Sequence, residues 1–142
     1  MDFALIRLYG RAVTLDDFHG DGPPDWRPLE AIVPPEECSG FMYMGWQAID
    51  GKRLHHYKHI DTRRYLLLTD ELETFRYLND ESYWPQTLNS AIHHAFGDLE
   101  WMNPERYAPG SICRFAEKCA RQKEAAHGML AYHETDDGEA SG

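Results

Sequence analysis

Three short turn signals between residues 41 and 78 constrain the fold of this sequence more than any other feature. The strongest is Asp50-Gly51, which lies between two apolar and aromatic stretches, an arrangement typical of a tight β-hairpin. Asp61-Thr62 and Asp70-Glu71 divide the residues that follow into further short apolar stretches. We therefore predict an antiparallel meander whose four strands cover approximately residues 41–49, 53–60, 63–69 and 72–78.

Residues 2–9 are predicted to add a fifth strand to this sheet, and two helices are predicted to follow the meander. Pro85 at a first helical position and Gly97 just past the end bracket the first helix. The second helix is predicted over residues 111–127, with its end at Gly128. Each helix carries one apolar stripe. We therefore expect an α+β fold, in which an antiparallel sheet of four to five strands is packed on one face by two C-terminal helices.

The chain has 142 residues, which is enough for one domain and too few for two ordinary ones. We expect a single α+β domain over residues 1–133. Residues 10–40 are rich in glycine, proline and acids, which predicts a long acidic loop region. Residues 134–142 are acidic and mostly small, which predicts a disordered tail.

Turn length decides which side chains share a face of the sheet. If each turn has two residues, Tyr57 lies opposite both Met44 and Leu66, and Leu66 lies opposite Phe75. This register predicts a core face, covered by the helices, that consists of Met42, Met44, Trp46, Tyr57, Leu66, Leu68, Phe75 and Tyr77. The other face is then basic and aromatic and consists of Phe41, Tyr43, His56, Lys58, Arg63, Tyr65, Leu67, Thr74 and Arg76.

The net charge of −10 argues against a broadly basic nucleic-acid binder and against a polybasic membrane binder. Within this acidic chain, residues 51–64 hold five Lys or Arg against one acid. Aromatic rings stack on ligands and cations bind phosphate or carboxylate, so the second face is a candidate binding platform. Its candidate ligand-binding residues are Tyr43, His56, Lys58, Arg63, Tyr65 and Arg76. An ordinary solvated sheet face is the alternative interpretation.

The acids that precede the meander form a second candidate surface, suited to a protein partner with a basic surface. Complementary charge would make such an association fast and sensitive to salt. The candidate residues are Asp16, Asp17, Asp21, Asp25, Glu36 and Glu37. A charge that serves only solubility is the alternative.

Histidine and cysteine spacing predicts neither a metal site nor a disulfide. His55 and His59 lie roughly 13 Å apart on a strand, which is too far for them to share one ion. The three cysteines form no Cys-x-x-Cys spacing, and we expect Cys113 and Cys119 to be inert thiols in the apolar stripe of a helix. The sequence contains no glycine-rich phosphate loop and no Gly-x-Ser-x-Gly motif. We predict no metal and no cofactor.

Three functions are compatible with these observations. The first is a small acidic, non-catalytic interaction protein that binds a macromolecular partner, such as an inhibitor, an immunity protein or a phage-type anti-defence protein. The alternative is a sheet-based binding module for a nucleotide, an oligonucleotide or another anionic ligand. The third is a small enzyme with a site between the acidic loop and the sheet, where His19, His56 and Asp21 are the first residues to test.

Location and assembly are predicted from apolar stretches. No apolar run approaches the roughly 18 residues that cross a bilayer, and the first residues lack the features of a signal peptide, so we expect a cytoplasmic protein without a membrane partner. If Phe41, Tyr43 and Leu67 are exposed together, that face would pair two copies as a homodimer.

Overall fold

The computed structural model describes residues 4–8, 11–15, 18–20, 22–49, 51–78 and 82–140. The strands are β1 (Ala4–Leu8), β2 (Arg11–Leu15), β3 (Phe41–Ile49), β4 (Lys52–His59), β5 (Tyr65–Thr69), β6 (Thr74–Leu78) and β7 (Ser82–Gln86). They form one sheet in the order β2-β1-β7-β6-β5-β4-β3. The helices are α1 (Arg27–Glu30), α2 (Pro35–Cys38), α3 (Leu88–Phe96), α4 (Leu99–Met102) and α5 (Ser111–Ala140).

The predicted meander is confirmed, and it is one strand longer than the sequence indicates. Strands β3 to β7 are consecutive antiparallel neighbours. Pro85, predicted as a first helical residue, instead lies in β7 opposite Phe75. Helix α3 begins at Leu88, because the Thr87 hydroxyl accepts a hydrogen bond from the Ser90 amide and caps the helix there.

The N-terminal strand joins the same sheet, as predicted. Strand β1 lies parallel to β7 and antiparallel to β2. Strand β2 falls in the stretch of residues 10–40 for which the sequence predicts only loop and short elements. Its pairing with β1 explains the difference, since a strand at that position is stabilised by a neighbour rather than by its own composition.

A β-bulge in β3 changes the register that the first hairpin sets. The hairpin has the predicted two-residue turn, but the pairing shifts between Tyr43 and Gly45, so that Tyr57 lies opposite Tyr43. The extra residue, Met44, therefore leaves the predicted core face. Gly45 has a φ of +124°, and a Cβ atom there would lie 2.4 Å from the carbonyl oxygen of His19. Only glycine permits this close approach of two backbones.

Between β5 and β6, the backbone hydrogen bond from Thr69 to Glu73 encloses a loop of three residues rather than two. Leu67, and not Leu66, lies opposite Phe75. Leu72 closes the loop with a φ of +68°, in the left-handed region that three-residue hairpins use. The extra residue moves every side chain of β6 to the other face. The predicted core positions of Phe75 and Tyr77 are therefore wrong.

The sheet curls until its two edges meet. His19, which follows β2, pairs with Trp46 of β3 through backbone hydrogen bonds of 2.9 and 3.0 Å. Inside the curl, the Tyr83 hydroxyl of β7 donates to the Gln47 side chain of β3 over 2.9 Å. We refer to this inner side as the concave face. Helix α3 packs on the opposite side of the sheet, and α5 packs against α3. We refer to this side as the helix-covered face.

Each face carries its own apolar cluster. The helix-covered face holds the larger one, which includes Phe41, Tyr57, Leu66, Leu68, Ile92, Phe96, Ile112 and Cys119. The concave face holds Ile49, Leu54, Leu67, Phe75 and Tyr83. Phe41 and Leu67 are thus buried on opposite faces, so the condition set for a homodimer, joint exposure of Phe41, Tyr43 and Leu67, is not met. Thr74, also predicted on the free face, is buried.

Helix α5 continues past Gly128, where the sequence predicts its end. A glycine inside a helix costs about 1 kcal/mol relative to alanine, which weakens a helix without ending it. The backbone of residues 134–140 belongs to α5, which differs from the disordered tail that the sequence predicts. Within the described residues, no helix combines the length and the apolar character needed to cross a membrane.

Candidate functional site

A pocket of about 680 Å³ opens where β5 and β6 separate. The pairing of these strands ends at Leu67 and Phe75, although β6 continues beside β7. The segment before α1, the β4–β5 turn and α3 complete the wall. The described lining residues are Phe18, Met44, Gln47, His56, Arg63, Arg64, Tyr65, Leu67, Phe75, Arg76, Tyr77, Tyr83 and His94.

The gap between β5 and β6 connects the two faces of the sheet. Phe75 and Tyr77 lie on the concave face, so the alternation along the strand turns Arg76 to the helix-covered face. On that face, the positive charge of Arg76 influences the protonation of His94 in α3. Burial lowers the pKa of His94 below its usual value, and the charges of Arg76 and Arg64 lower it further. The pocket therefore has an aromatic end on the concave face and a cationic end beside α3.

The pocket wall is strongly basic. It contains three arginines and two histidines, and the described lining includes no carboxylate. Arg64 contacts His94 and Asp98, each over 3.3 Å. Within the described chain, Arg63 and Arg76 have no carboxylate oxygen within 4.0 Å. In a protein of net charge −10, these guanidinium groups make one local electropositive site.

The β4–β5 turn holds two of the arginines in place. Arg63 has a φ of +64°, and its amide donates to the His59 carbonyl over 2.9 Å. The Thr62 hydroxyl donates to the Ala95 carbonyl over 2.8 Å, which fastens the turn to α3. The turn and the helix thus bring Arg63 and Arg64 to one side of the pocket.

His56 occupies the aromatic end. Its ring lies edge-on to the rings of Phe18 at 5.1 Å and of Tyr65 and Tyr83 at 6.2 Å between centroids. The His56 residue is 9% exposed, and its Nε2 atom has no hydrogen-bond partner among the described residues. Burial, and secondarily the charge of His55, lowers the pKa of His56 to about 4. The ring is therefore uncharged at neutral pH.

The pocket brings together four of the six ligand-binding candidates. These are His56, Arg63, Tyr65 and Arg76. Lys58 lies beside the pocket, with its Nζ atom 5.6 Å from the centre of the Tyr65 ring. Tyr43 lies elsewhere, because the bulge turns it to the helix-covered face, where its hydroxyl is 2.8 Å from His55 Nδ1.

Three further lining residues, Arg64, His94 and Phe18, are not among the ligand-binding candidates that the sequence predicts. Arg64 belongs to the same basic stretch, residues 51–64, that makes Arg63 a candidate, so the sequence could have identified it as well. His94 is one of two adjacent histidines on α3, and only the packing of the helix decides which one reaches the pocket. Phe18 carries no signal at all, because its place depends on the pairing of His19 with β3.

A second cavity, of about 580 Å³, lies between residues 22–30 and strands β3 and β4. At its base, potential ligand atoms of Asp25, His55 and Asp70 lie within 4.8 Å of one another. His55 Nε2 is 2.7 Å from Asp70, a carboxylate that can only accept, so Nδ1 accepts from the Tyr43 hydroxyl. The buried imidazole thus has both nitrogens satisfied.

The two carboxylates of this group are also occupied. Arg27 binds Asp25 at 2.7 Å, and Arg53 binds Asp70 at 2.9 Å. The hydrogen bond from Arg27 holds the pKa of Asp25 at about 2. A metal ion could bind these side chains only by displacing two arginines from the carboxylates. The arrangement is therefore more typical of an ion-pair network than of a metal centre.

This cavity lies where the third hypothesis places an enzyme site, but neither of the two described residues suggested for that site lines it. His19 is exposed and stacks on Trp46 at 4.1 Å. His56 belongs to the other pocket. Asp21 lies outside the described residues.

The candidate acidic surface is only partly free for a partner. Asp16, Asp17 and Asp21 lie outside the described residues. Glu36 is exposed. Asp25 is bound by Arg27, and Glu37 binds Arg106 at 3.1 Å and accepts from the Tyr107 hydroxyl at 2.7 Å. Two of the six acids therefore stabilise the fold.

The two helical cysteines differ in environment. Cys119 is fully buried, as expected for an inert thiol, and burial raises its pKa to about 12. Cys113 is exposed, with its Sγ atom 3.4 Å from His93 Nε2. The prediction that Cys113 fills the apolar stripe is therefore wrong.

Comparison of the chain with models of protein families, with curated proteins and with solved structures finds no match. Functional inference for this protein consequently depends on the geometry of its own sites.

Proposed function

We propose that this protein binds a small anionic ligand that carries a planar ring, with a nucleotide as the best-fitting class. The observation that carries the proposal is the composition of the pocket wall, which combines three arginines with five tyrosine and phenylalanine rings, three of them against His56, and no described carboxylate. This is the sheet-based binding module that the sequence offers as its alternative function.

Size and chemistry support the same class. A volume of about 680 Å³ falls within the roughly 300–1,000 Å³ of small-molecule pockets. Guanidinium groups bind phosphate oxygens through paired hydrogen bonds. Aromatic side chains stack on a nucleobase with about 1–3 kcal/mol per base. A bare anion would leave the aromatic end unused, and an uncharged ring would leave Arg63 and Arg76 without an anionic partner among the described residues.

The acidic interaction protein remains a prediction. The net charge of −10 favours it, but two of its six candidate acids are held in internal ion pairs. The pocket supplies a more specific arrangement of residues, and for that reason we place ligand binding first.

Calorimetric titration with the four common nucleoside monophosphates tests the proposal. Arg76→Glu should weaken binding by about tenfold or more, since it reverses the charge of an unpaired pocket arginine. Arg121→Glu is the matched control, because Arg121 is exposed on α5, does not line the pocket and undergoes the same charge change. Its affinity should equal that of the wild type. The proposal fails if the wild type binds none of the nucleotides or if both variants lose affinity equally.

A further inference from the structure

The unpaired nitrogen of His56 identifies which end of the pocket takes the ring of the ligand. Buried polar atoms in folded proteins almost always have hydrogen-bond partners. His56 Nε2 has none among the described residues and almost no accessible surface, although the side chain lies in the pocket wall. A ligand ring that displaced the half-exposed Phe18 ring, which packs against the imidazole, would uncover this atom and could supply its partner.

The surroundings of His56 favour an uncharged partner. Three aromatic rings, of Phe18, Tyr65 and Tyr83, surround the imidazole. Burial keeps the imidazole neutral at pH 7, with a pKa of about 4. A neutral imidazole nitrogen either donates or accepts one hydrogen bond, as the ring nitrogens and amide edges of nucleobases do.

The opposite end of the pocket has the complementary character. Arg64 touches His94 at 3.3 Å, and Arg76 and Arg64 both lower the pKa of His94. Arg64 also lies 3.3 Å from Asp98, just past the end of α3, which places its charge at the α3 end of the pocket. Crowded positive groups of this kind are stabilised by a phosphate that accepts from several of them.

We infer that the ligand is a nucleoside monophosphate bound in one orientation, with its base against His56 on the concave face and its phosphate between Arg64, Arg76 and His94. The sugar then lies in the gap between β5 and β6. His56 is the residue that distinguishes one base from another, because it is the hydrogen-bonding side chain among the rings that receive the base. This inference rests on the proposed function and adds the orientation and the source of selectivity.

Titration of His56→Phe with the four nucleoside monophosphates and with inorganic phosphate tests the orientation. Phenylalanine keeps the aromatic packing and removes the nitrogen. We expect the affinity for the preferred nucleotide to fall about tenfold and the differences among the four bases to shrink, while the affinity for inorganic phosphate stays unchanged. Arg76→Gln should show the converse, with weaker binding of both nucleotides and phosphate and an unchanged order of base preference.

The outcomes separate this inference from the proposed function. If the wild type binds no nucleotide, both fail. If nucleotides bind and His56→Phe discriminates among bases as the wild type does, the orientation is refuted and the proposed function stands. Loss of phosphate binding in His56→Phe would also refute the orientation, because it would place the anion at the aromatic end.

A measurement on the wild type removes any dependence on how well the variant folds. In protein labelled with ¹⁵N in its histidine rings, the Nε2 resonance of His56 should move when the preferred nucleotide is added and stay in place when inorganic phosphate is added. A resonance that responds to phosphate alone, or to neither, would overturn the inference.

Discussion

His56 connects the stability of the fold to pH at the scale of a single residue. Its pKa is lowered from 6.5 to about 4 in the folded protein, so below pH 6.5 the unfolded chain binds a proton that the folded chain does not. Stability is therefore complete above pH 6.5 and decreases as the pH falls toward 4. The lost free energy of unfolding amounts to about 3 kcal/mol for a group this deeply buried.

Urea unfolding of the ligand-free protein between pH 7 and pH 4 measures this effect. His56→Phe should lose about 3 kcal/mol less stability than the wild type over that interval, because it has no proton to take up on unfolding. His94 and His59 also have lowered pKa values, and they are retained in both proteins, so the difference between the two curves isolates His56. Parallel curves would show that His56 is protonated equally in both states.

The sequence is enough to identify the basic and aromatic stretch around residue 63 as a candidate binding region. It is not enough to assign a role in the pocket to each residue of that stretch. Arg63, Tyr65 and His56 were recognised because basic and aromatic residues alternate along one stretch. Arg76 was placed with them through an incorrect register, and it reaches the pocket from the other face through the gap between strands. A residue can therefore be correctly predicted as part of the pocket although the predicted face of the sheet is wrong.

Gly45 controls the architecture at the scale of elements. Its φ of +124° forms the bulge of β3, and the absence of a side chain lets the His19 carbonyl approach. That contact closes the curled sheet and also seats Phe18 in the pocket, because a Cβ atom on Gly45 would lie 2.7 Å from the Phe18 ring. A single backbone position thus links the closure of the sheet to the shape of the candidate site.

Gly45→Ala should lower the free energy of unfolding by more than about 2 kcal/mol, since strain at a positive φ adds to a clash with backbone. Chemical denaturation measures the change. Gly22→Ala is the control, because nothing lies within 4 Å of a Cβ atom at Gly22 and its effect should stay within about 0.5 kcal/mol. Equal stability of the two variants would contradict the role assigned to Gly45.

At the scale of the whole molecule, the protein is acidic overall but its pocket is locally basic. The chain carries a net charge of −10, while the pocket is lined by arginines without a described carboxylate. Salt screens both the repulsion among acids over the surface and the attraction of an anion to the pocket. Added salt should therefore stabilise the fold and weaken the binding of an anion.

Raising sodium chloride from about 20 mM to about 200 mM should therefore raise the melting temperature of the ligand-free protein and weaken its affinity for nucleoside monophosphates. Scanning calorimetry and titration on the same samples measure the two changes. The Arg76→Glu variant should show a smaller dependence of affinity on salt than the wild type. Nucleotide binding that is insensitive to salt would argue against phosphate recognition by the arginines.

Much of the sheet is encoded locally and was therefore predictable. The hairpin at Gly51 and the pairing of Tyr57 with Leu66 follow from short turns between apolar stretches, and both are confirmed. The end of α3 at Gly97 is also confirmed, and it is local too, because a Cβ atom at Gly97 would lie 2.5 Å from the carbonyl oxygen of His93, four residues earlier. The α+β class follows from these elements alone.

The faces of the sheet depend on contacts between residues far apart in the chain. The sequence by itself determined the meander, the helices that follow it and the basic stretch of residues 51–64, since each depends on neighbouring residues. Only the tertiary structure decided the bulge at Gly45, the entry of Pro85 into β7 and the gap that forms the pocket. Side chains alternate with a period of two, so a shift of one residue, fixed by a distant partner such as His19, exchanges the faces of a strand.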